Sequence, residues 1–216
     1  MTAFKGNRIV HEFTQTNPAG PEKVFPLLCP VREADWLPGW NYRLIYSNSG
    51  VAELGCVFTT PNPLGSAAPD RVSAETTWIV TDYDPGNFRI HYLWIDPGHI
   101  ITELRIHLSR SGAEGTRTHI HYRYTGLSQD GNGDLEHYNR SWFERKMKNW
   151  ETTINHYLRT GKRSQPSMLL KELPNGQERT AGAKARSHFQ GLNGTTDVVP
   201  CPRVAPAFLA ESSGLK

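Results

Sequence analysis

Cysteine is scarce in this chain of 216 residues: there are three, Cys29, Cys56 and Cys201. The number is odd and the spacings match no metal or redox pattern, so neither a disulfide framework nor a cysteine metal site is expected. No apolar run approaches the roughly 18 residues of a membrane span. The opening stretch MTAFKGNRIVHEF lacks the apolar core of a signal peptide. The expectation is a reduced, cytoplasmic protein with no stable membrane insertion. A Gly-rich phosphate loop, a paired-carboxylate spacing and a nucleophile elbow are all missing, as are internal repeats. No cofactor, metal or motif-borne catalytic residue is therefore expected.

Strong charge of one sign is missing too. The net charge of +3 comes from residues 162–216, which carry eight Lys or Arg against four Asp or Glu, while residues 1–161 carry sixteen against seventeen. A nearly neutral folded part argues against a nucleic-acid partner, which needs a basic face on the domain itself. Residues 162–216 are rich in Gly, Ser, Pro, Thr and Ala and read as a disordered tail, with one short amphipathic piece around Pro166–Leu173. The division expected is one domain over 1–161 and a tail over 162–216.

What the chain does have is a long amphipathic stretch. From Asp134 to Thr160, apolar residues recur at Leu135, Tyr138, Trp142, Phe143, Met147, Trp150, Ile154, Tyr157 and Leu158. Steps of three and four place them on one helical face. Glu136, Arg140, Glu144, Lys148 and Glu151 fall on the other, with Glu144 and Lys148 in the favourable i,i+4 order. Asp134 is the expected cap and Gly161 the stop.

Upstream, Arg8–Gln15 reads as a strand that breaks at Asn17-Pro18-Ala19-Gly20. Pro21 suits the first turn of a short helix over Glu22–Cys29, and a second short helix or turn follows over Val31–Trp36. Six strands are then predicted, over Asn41–Ser47, Val51–Thr60, Arg71–Asp82, Phe88–Ile95, Ile100–Ser109 and Thr116–Thr125. Gly- and Pro-bearing turns separate them.

The turns fix a register. Side chains alternate along a strand, so cross-strand partners share a face. Three rows result on one face: Val80, Ile90, Ile106, Ile120; then Trp78, Tyr92, Leu104, Tyr122; then Thr76, Trp94, Thr102, Tyr124. The other face collects Arg89, His91, Glu103, Arg105, His107, His119, His121 and Arg123. The ring-rich face is assigned to the long helix and the histidine face to water. Trp and Tyr suit a dry core poorly unless their N–H and O–H groups find partners, which points to a pocket holding water or a ligand.

The order of elements resembles the helix-grip fold of the START-like (SRPBCC) superfamily, which includes birch-pollen-allergen proteins, polyketide cyclases and lipid-transfer domains. The stretch Asn17-Pro18-Ala19-Gly20-Pro21-Glu22-Lys23-Val24-Phe25 is similar to the family's approach to its first helix, and Trp150 with Tyr157-Leu158 to the end of its last. The resemblance covers roughly residues 8–161. It implies an α+β architecture: a seven-stranded antiparallel sheet curled around a long C-terminal helix, with two short helices between strands one and two. It also implies a cavity between sheet and helix for a small hydrophobic or aromatic molecule. The family holds carriers, sensors and enzymes, so the fold leaves the activity open.

Candidate ligand-facing residues follow. Trp36 and Trp40 flank Pro38-Gly39 near the expected cavity mouth and are either a lid or a pin holding the short helices. Trp78, Tyr92, Trp94, Leu104, Tyr122 and Tyr124 from the sheet, with Phe143, Met147 and Trp150 from the helix, either line a cavity or fill a core. Tyr46 and Phe58 join them on the earlier strands. His107, His119 and His121 share a face, but Arg105 and Arg123 among them oppose a metal, and Glu103 opposite Arg123 reads as a surface ion pair. Cys29 is either a thiolate activated by Arg32 or a small buried apolar group. Glu33 and Asp35 are acids at the mouth or simply helix-start charge. An inward-pointing ionisable pair would separate an aromatase/cyclase-like enzyme from a carrier or sensor. Strands four to seven present none, which favours binding.

Overall fold

Seven strands form one antiparallel sheet: β1 (Arg8–Asn17), β2 (Arg43–Tyr46), β3 (Val57–Thr60), β4 (Thr76–Asp84), β5 (Arg89–Asp96), β6 (Ile100–Ser111) and β7 (Gly115–Gly126). They lie in the order β1-β7-β6-β5-β4-β3-β2. The computed structural model describes residues 3–61 and 75–165, all within one unit, Met1–Pro174. The first four residues of the strand expected over Arg71–Asp82 lie outside the described residues, as does most of the expected tail. Where that tail was expected to begin, Ser164 is buried and Arg163 Nη1 donates to the Ala34 carbonyl (3.2 Å).

Between β1 and β2 run α1 (Pro21–Val24), a 3₁₀ turn over Phe25–Leu28 and α2 (Pro30–Trp36). Pro21 and Pro30 both sit in first turns, where a missing N–H costs nothing. After β7 come α3 (Gln129–Asp134), a 3₁₀ turn over Leu135–His137 and the long helix α4 (Arg140–Thr160). The long helix therefore starts later than Asp134. Asn139 caps it, its side chain accepting from Trp142 N at 3.0 Å. The chain ahead of it is folded into two shorter turns, which carry Leu135 and Tyr138 into the core. Gly161 ends α4 with φ 67°, the left-handed stop expected of it.

The predicted face sorting holds, and the register holds over three strands. Ile90, Ile106 and Ile120 align, as do Tyr92, Leu104 and Tyr122, and Trp94, Thr102 and Tyr124. Against β4 the register differs from prediction: Val80 pairs Tyr92 rather than Ile90, and Trp78 pairs Trp94. The turn closes wider than expected, on Asp84 and Arg89, with Phe88 at φ 52°. A bulge between Val80 and Asp82 then takes up one residue. The net slip is even, and an even slip leaves every side chain on its face.

Inward, α4 buries Phe143, Met147 and Ile154. Glu151, expected outside, is buried as well. It accepts from the Thr16 amide at 3.0 Å and from Lys148 Nζ at 2.9 Å. Asn155 donates to Thr16 O (2.8 Å) and accepts from Asn17 Nδ2 (2.7 Å). Asn17 in turn accepts from Thr118 (2.8 Å). This polar seam ties the second half of α4 to the end of β1. The pair expected between Glu144 and Lys148 is not formed: Glu144 takes Arg140 (2.6 Å), and Lys148 takes Glu151.

On the outer face, His107 stands opposite His119 and Glu103 opposite Arg123. The last two form the expected ion pair at 3.1 Å. Cys29 is a buried, satisfied thiol: Sγ accepts from Ala52 N at 3.1 Å, and burial pushes its pKa up. That is the opposite of what an activated thiolate needs.

Candidate functional site

The concave face of the sheet and α4 do not close completely on each other. Between them lies a cavity of about 230 Å³ that opens to solvent. Its floor is Phe58, Trp78, Tyr92, Leu104, Ile106 and Tyr122. Its roof is Lys146, Met147, Asn149 and Trp150 of α4. Pro30 and Glu33 of α2, with Leu37, Pro38 and Trp40 beyond it, make the side wall.

Eight of the thirteen predicted residues meet there: Trp40, Phe58, Trp78, Tyr92, Leu104, Tyr122, Met147 and Trp150. The other five lie elsewhere. Trp36 is 0% exposed. Its indole N–H is spent on the Leu27 carbonyl (2.8 Å) and its ring packs edge-on against Trp150 at 5.3 Å, so it pins α2 to α4 and is no lid. Phe143 is likewise fully enclosed, stacked on His11 at 4.8 Å. Tyr124 lies behind Tyr122, stacked at 5.5 Å. Trp94 backs Trp78 at 4.0 Å. Tyr46 is 54% exposed on the edge strand β2, where short pairing and a bulge turn it outward.

The rings form a continuous wall. Phe58 stacks on Trp78 at 5.4 Å, Trp40 meets Trp78 edge-on at 6.1 Å, and Trp94 meets Tyr122 edge-on at 5.7 Å. Each such pair adds about 0.5–1.5 kcal/mol beyond area burial, so the wall keeps its shape with the cavity open. Three of the polar ring ends are taken up by the protein rather than left, as the sequence suggested, for water or a ligand. Trp78 Nε1 donates to Thr60 Oγ1 (2.9 Å), Tyr92 Oη to Leu28 O (2.7 Å) and Trp40 Nε1 to Pro30 O (2.8 Å). At these three positions the protein satisfies the polar end itself and leaves a ring face toward the space, whereas the buried Tyr124 hydroxyl behind Tyr122 has no partner among the described residues.

Two ionisable groups face that space from the two helices. Glu33 comes from α2 and Lys146 from α4. Both are half-buried. Burial raises the Glu33 carboxyl well above its ordinary value, against the pull of Lys146. Burial also lowers the Lys146 ammonium to about 8, against the pull of Glu33. In each case desolvation outweighs the mutual attraction, so both lean toward neutrality. The Lys146 ammonium lies 4.9 Å from the centre of the Tyr122 ring and 5.1 Å from that of Trp142, within cation–π range. Burial raises the Tyr92 and Tyr122 phenols further, and Glu33 adds to both shifts. Asp35 does not join the site; it pairs with Arg32 at 2.6 Å.

The inward-facing ionisable pair therefore comes from the two helices and not from the strands. A sequence signal existed for half of it. Phe143, Lys146, Met147 and Trp150 follow the i, i+3, i+4, i+7 pattern of the apolar stripe, which puts a lysine in the middle of the buried face. Glu33 carried no comparable signal, because its seven-residue helix is too short for a period.

No family model and no curated protein matches the chain. Solved structures do match in fold. Norcoclaurine synthase from Thalictrum flavum, in complex with dopamine and hydroxybenzaldehyde, superposes with TM-score 0.54 at 12% identity, over 75% of this chain and 96% of that one. Ara h 8.0201 gives 0.51 at 15% identity, over 71% and 99%. The Zhui aromatase/cyclase from a Streptomyces species gives 0.51 at 14% identity, over 72% and 98%. With an open seven-stranded antiparallel sheet, short helices after β1 and a long final helix lying across a ring-lined cavity, the chain has the helix-grip fold of the START-like proteins.

Proposed function

We propose that the protein binds one small hydrophobic or aromatic molecule in the cavity between the sheet and α4, as a carrier or sensor. The observation that carries this is the cavity itself: about 230 Å³, open to solvent and walled by ring faces, with the polar ends of Trp40, Trp78 and Tyr92 already satisfied. At about 30 Å³ per water in the liquid, that space equals roughly seven or eight waters. It suits a molecule of one or two rings. Filling it removes apolar wall and apolar ligand from water at about 25 cal/mol per Å².

The test has two arms. Native mass spectrometry of the protein purified from its source should show a retained small molecule. Fluorescence of the neutral apolar dye N-phenylnaphthylamine should rise on binding, and Trp78→Ala or Tyr122→Ala should weaken that binding while His121→Ala does not. Equal effects of the three variants would sink the assignment.

A second reading, an enzyme of the aromatase/cyclase kind, is favoured by one specific observation. Glu33 and Lys146 provide a carboxyl whose pKa burial raises well above its ordinary value and an amine lowered to about 8, both on the same cavity. Such a pair is matched to moving protons on a bound carbonyl compound. Turnover of a poly-keto chain that is lost in Glu33→Gln would support it; turnover unchanged in that variant would not.

A further inference from the structure

The cavity puts a primary amine and a carboxyl group inside one aromatic enclosure. Lys146 is held over two ring faces. Among the described residues it has no ion-pair partner, in contrast to Lys148 two residues on, which is paired with Glu151. Its amine lines the cavity with no carboxylate in ion-pair contact, although Glu33 attracts it from the side wall. Glu33 faces the same space from α2, and Asn149 adds a neutral amide to the roof.

We propose that Lys146 forms a reversible imine with an apolar aldehyde or ketone bound in this cavity, and that Glu33 supplies the proton to the carbonyl oxygen. The proposal rests on the reading of the cavity as a ligand site and names the chemical class of its ligand.

The step balances without any oxidant or reductant. The lone pair of the neutral Lys146 amine forms the N–C bond, and the C=O π pair moves to oxygen, which takes the proton of Glu33. The nitrogen then loses a proton to the Glu33 carboxylate. In the second half Glu33 returns that proton to the hydroxyl, which leaves as water while the nitrogen lone pair closes the C=N bond. Loss of the remaining N–H proton to the carboxylate restores the acid. Amine plus carbonyl becomes imine plus one water.

The cavity meets each requirement. The nucleophile must be a free amine. A lysine at its ordinary 10.5 is almost all ammonium near neutral pH, and lowering it to about 8 raises the free-amine fraction by about 300-fold. The acid must be protonated at the same pH, and the buried Glu33 carboxyl is raised in that direction. Surrounding water must be limited, since imines hydrolyse, and the walls here are rings and aliphatic side chains. The other titratable groups facing the pair, Tyr92 on β5 and Tyr122 on β7, are both held neutral. They compete for neither role.

The experiment uses the full chain with naphthaldehyde as probe, cyanoborohydride to reduce any imine to a stable amine, and peptide mass spectrometry to locate it. Displacement of N-phenylnaphthylamine by naphthaldehyde reports binding separately. The expected result is displacement of the dye, with reductive labelling at Lys146 at least roughly tenfold faster than at Lys5, Lys23 or Lys162, in keeping with its larger free-amine fraction. Lys146→Arg should abolish that label. Glu33→Gln should slow it about a hundredfold, the low end for a positioned acid, a larger change than any in dye affinity; His121→Ala should alter neither. If the dye is displaced but Lys146 labels no faster than the other lysines, the imine proposal is overturned and the ligand site stands. The same holds if naphthoate displaces the dye at lower concentration than naphthaldehyde and no label forms, which would make Lys146 an anion anchor. If naphthaldehyde neither displaces the dye nor labels the protein, the ligand-site reading fails and takes the proposal with it.

Discussion

Lysine 146 should lower the stability of the protein that carries it, and replacing it with methionine measures by how much. Methionine is close to lysine in length and volume, so the roof of the cavity keeps its shape. The lysine pKa falls from 10.5 to about 8 on folding, which at 1.36 kcal/mol per pH unit is a cost of about 3 kcal/mol while the group is charged. Partial exposure to the cavity reduces that figure. The variant also loses two cation–π contacts, worth about 0.5–1 kcal/mol each at such sites. The net expectation is a gain of about 1–2 kcal/mol, or a rise in Tm of about 3–6 °C for a domain of this size.

The sign with pH follows from proton binding. Between 8 and 10.5 the unfolded chain holds more protons at this site than the folded one, so the lysine's cost is full below 8 and fades as pH rises through that window. Urea unfolding of wild type and Lys146→Met near pH 6.5 and near pH 9.5 should therefore show the gain shrinking at the higher pH. Glu33→Gln in both backgrounds separates the lysine's effect from that of the Glu33 carboxyl, which burial raises. A loss of stability at the lower pH, or a gain that does not change with pH, would refute the account of a desolvated amine.

A Cβ on Gly131 would lie 1.9 Å from the His99 carbonyl oxygen, a contact with backbone that no rotamer relieves. Gly131→Ala should lower stability by about 2–4 kcal/mol, read as a fall in the urea midpoint. Asn155→Ala would remove the acceptor of Asn17 Nδ2 and a donor to the Thr16 carbonyl. At about 1–3 kcal/mol for each orphaned group it should cost more than Arg123→Ala, whose half-exposed pair with Glu103 contributes at most about 1 kcal/mol. Leu104→Trp should fill the cavity from its floor and abolish N-phenylnaphthylamine binding while the protein stays folded by circular dichroism. Retained dye binding would move the ligand elsewhere.

Much of this architecture could be read from residue order because its largest signal, alternation on β5, β6 and β7, repeats over three strands and tolerates small errors. The slip against β4 shows how: the turn and the bulge at Val80/Asp82 each shift the pairing, but parity survives, so Trp78 was placed on the correct face beside the wrong partner. Helix limits were less legible. Asp134 and Asn139 are equally good caps in isolation, and only the packing of Leu135 and Tyr138 into the core decides between them. The site was legible in its rings and not in its chemistry. Rings are numerous enough that most land near the cavity, whereas Trp36 and Phe143 show that an aromatic on the right face is as easily spent on packing. Glu33 and Lys146 sit on different helices far apart in the chain, and nothing local relates them.

The polar seam at the end of β1 sets the axial position of α4. A helix held against a sheet by apolar contact alone can slide by a turn, about 5.4 Å, at modest cost, because one aliphatic neighbour replaces another. Here such a slide would strand Asn155, Glu151 and the Thr16 amide at once. The seam works as a vernier: it keeps the amine of Lys146 and the amide of Asn149 level with the ring floor while the middle of the helix spans open space.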